Sequence, residues 1–502
     1  MEKNTPQTLG LTDQNVDKIA ALFPNCVTET QDETGALKKS INFDALKQAL
    51  SGSVVEGSET YEFSWVGKKA AAEEAFKPIH KTLRPCPEES VDWDKTQNLY
   101  IEGDNLDVLK LLREEYRNKV KMIYIYPPYN TGNDFIYKDN FRMSEKDWAE
   151  KNGGKAEKRK RQSEKKLDSS RIHSDWLSMI YSRLLIARDF LTDDGAIFIS
   201  IDDNEVDNLK KICEEVFGAS NFVCTFIWNT KKAAQGMATA NMVVTNHEYI
   251  LVYAKEKSNF RFQGVDRDEN NGFFNPDNDP RGLWKRQYLQ RKGQGLPVRT
   301  ITDPATGNTF SFETPYTQEK LERWIQEGRI IFPSDTSKYP ARKEFLSEYA
   351  HKQQLVTSLG LFATKATTEK LYSLFDGKKI FNNPKPDTLI QFLVGQTAKD
   401  AFVLDFFSGS ATTAHAVMQL NAQDGGKRRF IMVQLPEECD KNSEAYKAGY
   451  KTICDIGKER IRRAGALIKE SVKPDDSLLD TGFRVFKIVD CNERSVNSDP
   501  GA

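Results

Sequence analysis

The sequence predicts an α/β protein: a mostly parallel sheet with helices on both faces, interrupted by an inserted domain. Three observations predict it. Residues 121–125, 196–201 and 401–406 are short, almost unbroken apolar runs, the texture of strands buried on both faces. Amphipathic segments with helical period alternate with these runs, as β-α-β units require. The alternation stops near Lys255 and resumes after residue 375, so the core is split by a stretch of different character.

Bulk composition narrows the field. At 502 residues the chain holds several domains and a large core. A net charge of −1 excludes whole-molecule electrostatic capture of nucleic acid, leaving local cationic patches as the route to such a partner. The seven cysteines form no Cys-x-x-Cys pair and only five histidines are present, so no structural metal site is expected and the thiols read as reduced and mostly buried. No apolar run approaches the ~18 residues that span a bilayer, and no signal-peptide core opens the chain. The expectation is a cytoplasmic protein with no membrane partner.

Taken in order, residues 1–90 are polar, with helical period at 16–23 and 43–50, and read as an N-terminal helical arm. Residues 98–102 read as a strand, 103–105 as a turn and helix cap, 106–116 as an amphipathic helix and 121–125 as the next strand. Residues 151–168 are strongly basic; Lys158, Arg159, Lys160 and Arg161 suit either a solvated loop or phosphate contact. A long helix at 175–191, a turn at 193–195 and a strand at 196–201 follow. Residues 202–205 then cap a helix at 206–217, and strands follow at 222–228 and 247–254.

Residues 256–375 carry turn residues, isolated aromatics and basic clusters that include Lys285, Arg286, Arg291 and Lys292, and read as the inserted domain. The α/β texture then returns, with a helix at 388–393, a strand at 401–406, a helix at 412–420, a strand at 429–435, helix over 445–469 and a last strand at 483–489. The expected division is 1–90, 91–255, 256–375, 376–490 and a tail at 491–502.

Two stretches carry chemistry. Asp405-Phe406-Phe407-Ser408-Gly409-Ser410-Ala411-Thr412 lies where a buried strand turns into a helix. Small residues there let backbone approach a ligand, free amides at the helix start attract an anion, and a strand-end carboxylate attracts an ammonium. That set suits the methionine part of S-adenosyl-L-methionine, with Gln434 or Glu437 at the next strand end as ribose candidates. The second stretch, Tyr126-Pro127-Pro128-Tyr129-Asn130, follows a strand that two prolines terminate. A base inside a duplex hides its amino group, so an enzyme acting on it extrudes the base and stacks it on an aromatic face; Tyr129 is the candidate platform.

With both stretches in hand, the chain resembles the β-class amino-methyltransferases, most closely the modification (Mod) subunits of type III restriction–modification systems. The resemblance runs through residues 81–86, 97–105, 121–137, 174–176, 193–204, 383–387, 405–417 and 429–437. The order is distinctive: Pro-Pro-Tyr loop first, inserted domain in the middle, cofactor turn last.

The resemblance implies a Rossmann-like, three-layer methyltransferase sandwich in circularly permuted order with an inserted target recognition domain. It implies transfer of a methyl group from S-adenosyl-L-methionine to N6 of adenine in a specific site of double-stranded DNA. It places the cofactor against Asp405, Phe407, Gly409 and Ser410, and it matches Asn383, Lys385, Pro386 and Asp387 to a helix-start motif that closes over the methionine end; Thr388 suits a helix cap locally, and Thr412 and Gln434 complete the expected cofactor site. It places the base at Pro127, Pro128 and Tyr129. It implies a homodimer and a restriction (Res) subunit as partner. The family continues beyond the point where this chain stops, so a shortened C-terminus is expected.

Two residues depart from the pattern. Ala411 stands where glycine is usual. Tyr126 stands where the adenine-modifying branch has aspartate. A phenol has bulk and no charge near neutral pH, so this chain is expected to be catalytically impaired while its loop projects the ring into an open pocket. The change reads as an introduced inactivating substitution or a natural loss. The rival reading is a non-catalytic DNA-binding module on a methyltransferase scaffold.

Overall fold

The structure is a computed structural model that describes residues 11–31, 37–50, 62–131, 162–232, 242–267, 272–349, 352–382, 384–471 and 479–491. The chain divides into two compact units, residues 1–262 with 356–502 and residues 263–355.

The first unit is built on one ten-stranded sheet. In chain order its strands are β1 (Lys81–Pro85), β2 (Leu99–Glu102), β3 (Val120–Ile125), β4 (Leu191–Ile201) and β5 (Phe222–Asn229). Then come β6 (His247–Ala254), β7 (Ser358–Leu361), β8 (Phe402–Asp405), β9 (Arg429–Gln434) and β10 (Arg484–Asp490). Across the sheet they run β7-β5-β6-β4-β3-β8-β9-β2-β10-β1. From β4 to β10 every neighbouring pair is parallel, while β6 runs against both β4 and β5. The inner parallel strands explain the apolar runs: with helices on both faces, neither side of such a strand faces water.

The helices that matter for the site are α1 (Asn105–Tyr116), α2 (Gln162–Phe190), α3 (Val206–Phe217), α4 (Asp387–Val394), α5 (Thr412–Asp424) and α6 (Ile453–Ser471). Side-chain alternation assigns them to the two faces. Ile123, Ile125, Ile197, Ile199, Leu404, Ile431 and Val433 share one core cluster with residues of α1, α2 and α3. The intervening Met122, Tyr124, Phe198, Val403, Phe430 and Met432 are also buried, and so point the other way. On that second side α5 packs between α4 and α6. Among the described residues, no helix is long and apolar enough to cross a membrane.

Several expectations need correction. The 81–85 segment is not part of a helical arm but an edge strand, antiparallel to β10. Residues 27–31 and 37–41 form a hairpin between the helices Leu11–Leu22 and Phe43–Ala49. Residues 193–195 do not separate helix from strand: β4 starts at Leu191, and its pairing jumps from Val120↔Leu191 to Met122↔Ala196. Gly195 permits that irregularity, since a Cβ there would lie 2.9 Å from the Val120 carbonyl oxygen. Thr388 lies inside α4, whose N-cap is Pro386. Glu205 precedes α3, but its side chain makes no cap bond. The helix expected over 445–469 divides into Glu444–Lys447 and α6.

The second unit is smaller than the 256–375 segment. A three-stranded antiparallel sheet of Trp284–Tyr288, Ala341–Phe345 and Ile330–Ile331 lies beside the hairpin Val298–Thr302/Thr309–Glu313 and the helix Gln318–Gln326. Leu289, Ile301, Phe310, Phe312, Leu321 and Trp324 form its core. Of the aromatics that read as isolated in the sequence, Trp324 serves this core, whereas Phe274 and Tyr288 are exposed. Residues 358–361 belong instead to the large sheet, as β7.

Candidate active site

Strands β3 and β8 are hydrogen-bonded parallel neighbours, with Leu404 opposite Ile123. Sequence order reverses at this pair, since β8 is followed outward by β9 and β3 by β4. A crevice at the carboxyl ends of such strands is the usual binding place of open α/β sheets. The 126–131 loop and the 406–411 turn both leave from there.

The prolines of the first loop are held from below: the Pro128 carbonyl accepts from Trp176 Nε1 at 2.7 Å, and Trp176 is fully buried on α2. Tyr129 is buried, and its hydroxyl donates to Glu248 Oε2 at 2.8 Å while accepting from Lys385 Nζ at 2.7 Å. The Tyr126 ring packs edge-on against it, centroids 4.9 Å apart at 69°. Lys385 Nζ lies 3.9 Å from the Tyr126 centroid, 4.8 Å from that of Tyr129 and 5.2 Å from that of Trp228. It also pairs with Glu248. Burial pushes the Lys385 ammonium below its ordinary range, opposed by the Glu248 carboxylate, and pushes the Tyr129 phenol well above its own. The expectation of an open pocket around residue 126 therefore fails: the ring is half-buried beside Tyr129 and under a lysine.

Asn130 closes the loop in the left-handed region, φ +62°. Its Nδ2 donates to Glu205 Oε1 at 2.5 Å, and the same oxygen lies 2.5 Å from His173 Nδ1. Asn208 Nδ2 donates to the other oxygen, Oε2, at 2.7 Å. Sequence reading missed Glu205, Glu248 and Trp228. A carboxylate inside the otherwise apolar β6 was the available signal for Glu248.

The second turn is wound around Asp405. Its Oδ1 accepts from the Phe407 amide at 3.0 Å and its Oδ2 from Thr413 Oγ1 at 2.6 Å. Burial still outweighs these bonds and pushes the carboxyl up to about 7. Gly409 has φ +50° and donates its amide to Gln434 Oε1 at 2.7 Å, so Gln434 braces the turn. Glu437, just beyond, is pushed up to about 7 by burial. Ala411 adopts φ +60°, ψ +41° at the N-cap of α5. Arg460 of α6, unnoticed in the sequence, is buried and donates through Nη1 to Ser410 Oγ at 2.8 Å and Thr412 Oγ1 at 2.7 Å. Phe407 and Pro386 are also buried.

These residues fit an amino-acid-bearing cofactor. Among the described residues, Asp387 Oδ1 is buried without a hydrogen-bond partner, while its Oδ2 lies 3.6 Å from Lys370 Nζ, and Asp405 is short of positive charge. An ammonium at either carboxylate would answer its deficit. Asn383, Lys158, Arg159, Lys160 and Arg161 lie outside the described residues.

In the second unit Lys285 and Lys292 stand over aromatic rings, 4.5 Å from the Tyr349 centroid and 5.3 Å from that of Tyr339. Arg291 Nη1 donates to the Tyr288 carbonyl at 3.2 Å. Arg286 is exposed on an edge strand of the three-stranded sheet, with exposed Tyr288 on the same face.

The family described as DNA methylase matches residues 120–464. The chain is 34% identical over 484 residues to the type III restriction-modification enzyme StyLTI Mod subunit of Salmonella typhimurium, covering 93% of this chain and 72% of that protein. It is 34% identical over 527 residues to the EcoPI Mod subunit of Escherichia phage P1, covering 96% and 78%. It is 32% identical over 520 residues to the EcoP15I Mod subunit of Escherichia coli, covering 94% and 77%.

Proposed function

The chain belongs to the DNA methylases, among the Mod subunits of type III restriction–modification systems, and on that premise we propose that its site is built to methylate N6 of adenine in duplex DNA, with Tyr126 impairing the step. The observation that carries this reading is the adjacency of the Pro-Pro-Tyr loop and the Asp405 turn at the ends of two paired parallel strands.

S-adenosyl-L-methionine supplies an electrophilic methyl group on a sulfonium. Asp405 and Asp387 take its ammonium, and the braced Gly409 turn lets backbone approach it. On the other side Tyr129 offers a face to an extruded adenine, and the Pro127 carbonyl accepts one hydrogen of the amino group. The second hydrogen needs a carboxylate at residue 126 so that the nitrogen lone pair points at the methyl. A phenol fills that space without accepting in the same geometry, and placement is worth orders of magnitude in rate. The exposed cations of the second unit, Arg286 foremost, hold the DNA backbone. The protein works as a homodimer with a Res subunit.

The packing of Tyr126 against Tyr129 favours one second reading, a DNA-binding module without catalysis. Single-molecule sequencing of host DNA separates the two. Expression of Tyr126→Asp yields modified adenine at one sequence motif, and the chain as it stands yields little or none. Unmodified DNA from a Tyr126→Asp protein that still binds the cofactor sinks the enzyme reading in favour of the module.

A further inference from the structure

The resemblance puts Lys385 with the residues that close over the methionine end of the cofactor. The geometry points to a different task, and we propose that Lys385 is a positioning residue of the base pocket; the inference rests on the reading of Tyr129 as the base platform.

The ammonium is enclosed by three aromatic rings, Tyr126, Tyr129 and Trp228, with the Glu248 carboxylate against it. Among the described residues, the groups that it touches belong to the Pro-Pro-Tyr side of the crevice: Tyr126 and Tyr129 follow β3, Trp228 lies near the end of β5 and Glu248 lies in β6. Among the described residues, this ammonium makes no hydrogen bond or ion pair with the Asp405 turn. Lys385 is flanked by Pro384 and Pro386, whose fixed φ angles restrict the backbone that presents it.

What the ammonium does follows from its bonds. It donates to the Tyr129 hydroxyl, which in turn donates to Glu248. The phenol oxygen is thus clamped between a cation and an anion, which fixes the rotation of the ring that receives the base. Ring faces attract a desolvated cation, so the lysine also sets the position of whatever stands at 126. With tyrosine there, it holds the ring against the pocket. With aspartate there, an ammonium 3.9 Å from the present ring centroid is within ion-pairing reach of the carboxylate and orients it toward an amino group. The cofactor half of the chain therefore supplies, through Lys385, the side chain that orders the base half.

The test has two arms. Isothermal titration with S-adenosyl-L-methionine compares the full chain with Lys385→Met, and with Lys385→Met/Glu248→Gln, which leaves no unpaired buried carboxylate and guards against misfolding. The expected dissociation constants agree within about threefold. In a Tyr126→Asp background, transfer of tritiated methyl groups to unmethylated genomic DNA falls at least tenfold with Lys385→Met, in kcat and not in the KM for cofactor, and Lys385→Arg keeps more activity than Lys385→Met. A tenfold loss of cofactor affinity, or unchanged transfer, overturns the proposal. A silent Tyr126→Asp parent is a different result: it removes the functional reading, and this inference with it.

Discussion

Asn105 Nδ2 donates to the Phe406 carbonyl at 2.7 Å, joining the start of α1 to the 406–411 turn across 301 residues of sequence. Its Oδ1 accepts from Arg183 Nε, and Arg183 is a fully buried guanidinium on α2. One amide thus satisfies a buried carbonyl and a buried cation together.

Replacing it by Asn105→Ala takes this donor from the Phe406 carbonyl and one acceptor from Arg183, which keeps the Met179 carbonyl and the Asp104 carboxylate. The lost bonds, one of them to a buried cation, carry the cost. The expected loss of stability is about 1–3 kcal/mol, read from urea melts, with weaker cofactor binding because the 406–411 turn loses its brace. A loss under about 1 kcal/mol contradicts this account.

Ala411 sits at φ +60° with no exposed surface. An L residue there costs ~1–2 kcal/mol. Against that, glycine loses a buried methyl worth about 0.8 kcal/mol and adds roughly 0.4–1 kcal/mol of chain entropy to the unfolded state. The terms nearly cancel, so Ala411→Gly changes stability by less than about 1 kcal/mol. Ala411→Val, with a branched side chain in the same region, costs well over that amount in the same melt.

Asp405 makes the apo protein sensitive to pH. Its folded carboxyl keeps a proton up to about pH 7, whereas an unfolded aspartate releases it near ~4. Between those values the folded state binds a proton that the unfolded state does not, so stability falls as pH rises across the window, by at most about 4 kcal/mol. Asp405→Asn keeps the acceptor for Phe407 N and removes the titration. Its melting temperature exceeds that of the parent at pH 8 and not at pH 5, while cofactor affinity is lost. A parent whose stability is flat from pH 4 to 7 refutes this.

Glu205 accepts from the Asn130 side chain and so fixes the end of the loop, where Asn130 takes the left-handed backbone conformation that asparagine tolerates better than most residues. Glu205→Ala releases the Asn130 amide and takes away the carboxylate beside His173 of α2. The expected cost is about 1–3 kcal/mol by thermal melt. In the Tyr126→Asp background, methyl transfer drops on the order of a hundredfold, since an ångström at the base loop is worth that much.

Arg286→Ala tests the second unit. On the proposed reading of Arg286 as a phosphate contact, its removal weakens DNA binding across all sequences and lowers the slope of log affinity against log salt by about one. Fluorescence anisotropy at several salt concentrations measures both. Unchanged affinity and slope remove Arg286 from the interface.

The sequence by itself determined the β-α-β frame, the split by an insertion and the two loops that meet in the crevice. These are legible because period and turn chemistry are local: residues 121–130 and 402–412 carry their strand, break and loop within a dozen positions. It also marked Tyr126 and Ala411 as departures, since a pattern exposes its own exceptions. Only the tertiary structure decided what fills the pocket. Lys385, Glu248 and Trp228 come together around Tyr126 and Tyr129 from four separate segments, and no spacing rule relates them. The sequence marks Glu205 only as part of a helix cap and does not single out Arg460; both are buried, and they anchor Asn130 and the Ser410–Thr412 turn respectively. Local propensity acts over a few residues, whereas the energy of a buried charge is set by whatever the rest of the chain packs against it.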